Sequence, residues 1–447
     1  MKKIKNIITI VLPILLLTYC DNPLELDPKT EIAEEEVFTD AEGAQLALYG
    51  CYSALHDDWF WGHYAHTITD LISDDLIHTG SYTSWSQIDK GQYDELSPHI
   101  DDVYEWGYAG INRCNLVIAN LPGISMDESE KNKIMGEAHF IRGFIYFTLV
   151  NYFAGVPLVT TPTVSPIDDS YYVSRASVEE VYNQVESDLT QAESLLQPGN
   201  SKSTANKNTA SALLARVYLY QGKYNEASEK ASEVINSGYY YLDEYNEEYF
   251  DSENEPDIIF ALIFTREDEN SCIYWYTHAN SGGRFEFAVD PDFYSAIEPG
   301  DLRMEAMIKV EEGVEGNVGY IDEANGVVWT IKYDDWVGRD NPVMILRLPE
   351  MYLIRAEAAL RGAAGDPLAD INVIRSRAGL SELSSVTLED VLQERRMELC
   401  FEGHRFFDVA RLGDPLTEFP IQQHQLIFPI PYWEIDVNPN ITQNPGY

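Results

Sequence analysis

Small and aromatic residues follow one another between Ala215 and Tyr239 in an order that dictates local structure: Ala215, Tyr218, Gly222, Tyr224, Ala227 and Ala231. Small side chains at helical spacing let a first helix lie close to a second. The glycine permits the turn between them, and the tyrosines fill the gaps that the alanines leave. A weaker copy runs from Met351 to Leu380, with Ala356, Ala358, Ala359 and Gly362 before the turn and Ile371 and Ile374 after it. Capping residues followed by apolar residues three and four apart predict further helices. Thr39 with Glu42 opens one that carries Ala44, Ala47, Leu48, Cys51 and Leu55 on one face. Ser125 with Glu128 opens a run to about Phe153, Ser177 with Glu180 one to about Leu196, and a third long run covers Thr209 to Asn236.

These hairpins are of tetratricopeptide type. The predicted fold is all-α, mainly helical: a scaffold of such hairpins with long loop insertions and a few short strands. A chain of 447 residues that is 45% hydrophobic can bury a large core, which argues against disorder. From Tyr239 to about Val343 the composition changes to aromatics, glycines and acidic residues, with strand-like pieces at Ile258 to Phe264 and Val327 to Tyr333. This stretch and the loop from Thr79 to Pro98 read as loops mounted on the scaffold, where binding residues concentrate.

Charge excludes one class of partner. With 30 basic against 74 acidic side chains the net charge is −44, and no basic stripe offsets it, so nucleic acid is not an expected ligand. At the N-terminus, Lys2, Lys3 and Lys5 precede an apolar run from Ile7 to Leu17, too short to span a bilayer and typical of a signal peptide. Leu17-Thr18-Tyr19-Cys20 resembles a lipobox with Tyr19 in place of the usual small residue, which makes Cys20 the expected lipid anchor. Residues 21 to 37 are acidic, carry Pro23 and Pro28, and read as a tether.

No G-x-S-x-G elbow, H-E-x-x-H, P-loop or dinucleotide-binding glycine motif is present. His63, His66 and Asp70 have helical spacing suited to a metal, but their aromatic surroundings favour packing. Cys51, Cys114, Cys272 and Cys400 lack ligand spacing and read as buried free thiols. From Glu394 to Arg405, charges interleave with Leu399 and Phe401, and they read as paired ions locking the last helices to the scaffold. The expected protein is therefore not an enzyme and needs no cofactor, with a structural calcium ion left open. A surface glycosidase remains the less favoured alternative, since it needs only a pair of carboxylates.

Several of these segments carry a resemblance. Leu348 to Ala358, Asn372 to Leu380 and Glu394 to Gly413 resemble the C-terminal half of the SusD/RagB family, as do Phe428-Pro429-Ile430-Pro431 and Gln443 to Tyr447. Trp106 to Asn115, Glu137 to Gly143 and Tyr152 to Leu158 resemble its N-terminal half. The resemblance implies a surface-exposed lipoprotein of the bacterial outer membrane that captures a glycan for a SusC-like TonB-dependent transporter, or a peptide as in the RagB branch. It also implies a signal peptide over 1–19, a tether over 20–38 and a single domain over 39–447. That domain would comprise an N-terminal helical part to 238, a variable insertion over 239–343 and a C-terminal part from 344.

Pyranose rings present an apolar C–H face that packs on flat aromatic side chains, so exposed aromatics on the two loop regions are the expected platforms. Tyr82 and Trp85 supply one, in a region that in similar proteins contributes to the ligand site. Tyr274, Trp275 and Tyr276, with Asn280 and the Arg284 fork, supply the other. If the triplet is extended, only a subset can face the ligand. Trp59 to Trp61 and Trp106 read mainly as packing residues, and the acidic balance favours a neutral glycan over a uronic or sulfated one. If Cys20 is the acylated N-terminus, Cys20→Ser should release the protein from membranes. A variant that still fractionates with the outer membrane and takes up a lipid label contradicts the anchor.

Overall fold

The computed structural model describes residues 37–163, 172–245, 249–250, 255–277, 282–311, 327–333, 335–413 and 422–447. Cys20 and Asn280 lie outside them. The order begins α1 (Ala41–His56), α2 (Tyr64–Ile72), β1 (Leu76–His78), α3 (Thr83–Asp89), α4 (Pro98–Asn120) and α5 (Glu128–Phe153). It continues with α6 (Val178–Leu195) and the hairpin α7 (Lys207–Tyr220) and α8 (Tyr224–Ile235). The middle segment holds β2 (Ile258–Leu262), α9 (Ser271–Tyr276), β3 (Phe287–Val289), α10 (Pro291–Ser295), α11 (Arg303–Met307), β4 (Ile308–Glu311) and β5 (Val327–Thr330). After β6 (Val343–Arg347) come the hairpin α12 (Leu348–Leu360) and α13 (Pro367–Arg377), then α14 (Leu388–Leu399), α15 (Arg405–Leu412) and α16 (Tyr432–Val437). The mainly helical fold class is as predicted, and among the described residues the strands form two-stranded antiparallel pairs, β1–β3, β2–β6 and β4–β5.

Capping chemistry sets most helix starts, though not always at the predicted residue. Ser177 and Glu180 form the expected reciprocal box at α6. At α1 the cap is Asp40 rather than Thr39, its carboxylate accepting from the Gly43 N–H at 2.9 Å. At α5 it is Asp127 rather than Ser125, accepting from Ser129 and Glu130. A carboxylate nearer the first turn also meets the positive end of the helix dipole, which a hydroxyl cannot match. The run from Thr209 to Asn236 divides into α7 and α8 because Gly222 takes φ +70° at the turn, a backbone state that costs other residues more. The α12–α13 hairpin turns the same way through Gly362 at φ +105°. Close packing then needs small residues: a Cβ on Gly110 of α4 would come within 3.2 Å of the Ala54 Cβ on α1.

One hydrophobic core runs from Ala44 on α1 to Ile441 near the C-terminus, and a smaller cluster of Leu353, Ala356, Ile371, Ile374 and Val391 fills the last hairpin. The four cysteines in the described residues are buried free thiols. Inside this apolar mass lies the ion-pair network expected of the segment from Glu394 to Arg405. Arg347, fully buried at the end of β6, bonds Glu398 at 3.0 Å and Glu402 at 2.7 Å, and donates to the Glu398 carbonyl at 2.7 Å. Lys332 reaches Glu402 at 2.6 Å, and Arg303 reaches Glu394 at 2.6 Å and Glu398 at 3.3 Å. On the scaffold side Arg395 bonds Asp408 at 2.7 Å, while Arg216 grips Glu350 with two bonds.

Burial alone would raise the Glu398 carboxyl, but Arg347, Arg303 and Arg377 outweigh it and bring it down to about 2 from an ordinary value of 4.5. Its charged form is thus the folded form. The stability it contributes should be present in full above about pH 4.5 and be lost as pH falls toward about 2, a decline that urea titrations across this range will register. Arg347→Ala leaves Glu398 and Glu402 buried without their main cation and should cost about 3–5 kcal/mol by the same measurement. Stability unchanged from wild type would show that the network is dispensable.

Candidate functional site

The segment after β1 and the segment before β3 are brought together by a carboxylate that sequence reasoning did not single out. The β1–β3 register pairs Leu76 with Val289, Ile77 with Ala288 and His78 with Phe287, so Thr79 to Tyr82 and Arg284 to Glu286 leave the pair side by side. Thr79 N–H donates to the Glu286 carbonyl at 2.8 Å, and its hydroxyl to the Phe285 carbonyl at 3.0 Å. The Glu286 side chain, 1% exposed, accepts from the backbone N–H groups of Ser81 and Tyr82 at 3.3 and 3.2 Å, lies 2.9 Å from His78 Nε2, and accepts from Arg284 Nε at 3.0 Å. It lies so close to Gly80 that a Cβ there would sit 2.0 Å from Oε2, so any larger residue at 80 would displace the carboxylate from its donors. Although burial raises it, these donors bring the Glu286 carboxyl below the ordinary range.

The α9 helix completes the arrangement. Asn270 caps it, accepting from the Cys272 N–H at 2.9 Å, and residues 284–286 lie alongside it, with the Arg284 N–H bonding the Tyr274 carbonyl at 2.7 Å and the Glu286 N–H the Trp275 carbonyl at 2.9 Å. The Tyr274-Trp275-Tyr276 triplet is therefore helical rather than extended. Successive residues on a helix point about 100° apart, so the three side chains diverge. Tyr274 is 42% exposed, Trp275 is half-buried and Tyr276 is fully buried.

What reaches the surface is a continuous aromatic face. Tyr82, 41% exposed, meets Trp275 edge-on at 5.3 Å, and Tyr274 meets Trp275 edge-on at 5.4 Å. Arg284 lies over the Tyr82 ring at 4.3 Å and donates to Ser81 Oγ at 3.1 Å. Trp336 extends the face beyond Tyr274 at 6.5 Å, with Arg339 stacked on it at 4.2 Å. Gly282, at φ +102°, passes so close to Trp336 that a Cβ would lie 2.8 Å from its ring. Phe285 and Arg339 both hold positive φ, an uncommon state for residues with side chains that Ala154 and Phe401 share away from this face.

Two of the proposed platform residues are corrected. Trp85 is completely buried, stacked on His99 at 3.9 Å and 13° and edge-on to Phe287, because α3 turns it inward. Tyr276 is also buried, its hydroxyl sharing a hydrogen bond with Thr67 at 3.0 Å. Neither presents a ring face at the surface; both pack on buried His63 and Phe287 instead. His63 in turn stacks 5.7 Å beneath Trp275, with burial holding it neutral far below the ordinary histidine value. A cleft of about 820 Å³ lies elsewhere, bordered by Asp127, Lys133, Leu196 and Asn206, and no aromatic side chain lines it.

Comparison with known proteins agrees with this architecture. Residues 35–219 match the SusD-like model described as starch-binding and associating with the outer membrane, and residues 331–424 match the model of the SusD family. These spans take in more than half of the chain, which belongs to the SusD/RagB family. SusD-like protein P38 of Formosa agariphila is 26% identical across 100% of both chains. The starch-binding protein SusD of Bacteroides thetaiotaomicron is 24% identical over 77% of this chain and 78% of its own. A solved laminarin-binding SusD-like protein superposes with a TM-score of 0.81 at 26% identity, over 92% of this chain and 100% of that one.

Burial separates the tryptophans into testable groups. Trp85→Ala should lower unfolding free energy by about 3–5 kcal/mol, the range for a large buried aromatic, whereas Trp275→Ala should keep a near-native melting curve. Equal melting temperatures for Trp85→Ala and wild type would contradict this assignment.

Proposed function

We propose that this protein captures oligosaccharide or polysaccharide at the surface of the outer membrane and delivers it to a SusC-like TonB-dependent transporter, with no covalent chemistry. The observation that carries the reading is the exposed face of Tyr82, Trp275, Tyr274 and Trp336, framed by Arg284. Flat rings set edge to face offer several surfaces to the C–H side of pyranose rings, and the guanidinium offers fixed donors to hydroxyl groups. Arg284 is neutralised by buried Glu286, so the face carries little net charge and suits an uncharged ligand better than an anionic one.

Names of similar proteins point the same way, since one is a laminarin-binding and another a starch-binding protein. Attachment would come through Cys20; no helix among the described residues is long and apolar enough to cross a membrane.

Trp275→Ala should weaken glycan binding by on the order of 1 to 3 kcal/mol, the scale for losing one aromatic stacking partner, with helicity retained. Glycan arrays followed by calorimetry measure this, and chromatography of the incubated glycan separates capture from hydrolysis. Shortened products mean a glycosidase; binding of peptides and of no glycan means the RagB-like alternative. Cross-linked cells should yield a complex with an integral transporter, and recovery of the free protein alone would count against delivery.

A further inference from the structure

Beyond the Tyr82–Trp275 face, a second pair of aromatic rings reaches the surface. Trp59, in the turn between α1 and α2, is 43% exposed and packs on half-buried Trp106 of α4 with ring centroids 4.9 Å apart. Both sit in segments that read from the sequence as packing, yet the tryptophan of that turn that enters the core is Trp61, which is 5% exposed and donates to Thr148 Oγ1 at 2.9 Å. The exposed indole is therefore not needed to close the core. Half-buried Tyr64 lies between the two aromatic groups: its N–H donates to the Asp58 carbonyl at 3.0 Å in the turn that carries Trp59, and its ring packs on His63 at 5.1 Å, which in turn stacks on Trp275 at 5.7 Å.

Carboxylates border this second pair. Asp57 accepts from the Trp59 N–H at 3.1 Å. Asp58 follows it in the same turn, and Asp102 stands one helical turn before Trp106 on α4. Burial and the like charges of Asp101, Glu105 and Asp57 push Asp102 up to about 6. These groups restrict the occupant. A polyanionic chain would be repelled, and an apolar protein surface would have to strip water from the carboxylates without supplying donors. A polyhydroxylated neutral chain instead lays its C–H face on the indoles while its hydroxyls donate to the carboxylates, bonds strengthened by the acceptor's charge.

The geometry points to a second sugar subsite on Trp59 and Trp106, continuous through Tyr64 with the Tyr82–Trp275 face, which takes further residues of the same uncharged glycan chain. It rests on the glycan-capture reading above. Its consequence is that affinity rises with chain length, because the far end of a bound chain meets the second subsite at high effective concentration.

The test is calorimetry with the full chain against neutral laminari- and malto-oligosaccharide ladders, each from the disaccharide upward, with polygalacturonate as the anionic control. Trp59→Ala should bind short members like wild type and lose about tenfold in affinity for the long ones, equivalent to about 1.4 kcal/mol, while Trp59→Phe keeps part of the gain. Trp275→Ala should lose affinity at every length. Trp59→Ala matching wild type at all lengths while Trp275→Ala fails overturns the second subsite and leaves the first. Tighter binding of polygalacturonate than of either ladder overturns the stated ligand class, and wild-type protein retaining neither ladder overturns this proposal together with the reading it rests on. Melting temperature, expected to be unchanged in Trp59→Ala, guards against misfolding; a large drop would return Trp59 to a packing role.

Discussion

A guanidinium with no access to water, that of Arg347, sits at the centre of the ion-pair network that ties the middle segment to the C-terminal helices. It must be satisfied by protein groups alone, and it takes them from Glu398 and Glu402 beyond the last hairpin. Removing a charge from water costs several kcal/mol, so such a cation tolerates few alternative arrangements of the elements around it. The same carboxylates hold Lys332 and Arg303, which belong to the middle segment, and Glu350 holds Arg216 from α7 and Arg395 from α14. Loops that would otherwise be free to adopt many conformations are thereby pinned to the helical scaffold.

Precise placement of the aromatic face follows from that pinning. Lys332 fixes the end of β5, next to Tyr333, whose hydroxyl donates to the Phe401 carbonyl at 3.2 Å. The loop that follows carries Trp336, and Asn341 within it accepts from the Asp335 N–H at 2.9 Å. On the other side, Glu286 holds the Tyr82 segment and Arg284 in one unit. A ligand meeting rings already held in place loses less to ordering them, which is where preorganised sites gain affinity.

The helical part of this design was legible because its signals are local. Ser177 and Glu180 are three residues apart, and Gly222 sits within a single turn. The candidate site was legible only as two regions, and within them Tyr82, Tyr274, Trp275 and Arg284 reach one face while Trp85 and Tyr276 turn inward. Nothing local distinguishes these groups. The α9 helix is too short for a period to show, and Trp85 is buried because Phe287 and His99 come from distant segments to cover it. Glu286 looks like one acidic residue among 74 until the β1–β3 register brings it beside Thr79, from where its carboxylate reaches the Tyr82 N–H, a contact across 204 positions. Trp336 was not singled out and Trp59 read as packing for the same reason, since exposure of a tryptophan is decided by the segments that do or do not pack on it.

Glycan capture as proposed requires the sugar to lie on the face built from Tyr82, Trp275 and Arg284. A crystal structure of the protein with a bound neutral oligosaccharide tests it directly. The account predicts a pyranose ring stacked within van der Waals distance of Trp275 or Tyr82, with a hydroxyl accepting from Arg284. Sugar density ordered elsewhere, such as in the polar cleft by Asp127 and Lys133, with this face left to solvent, would contradict it.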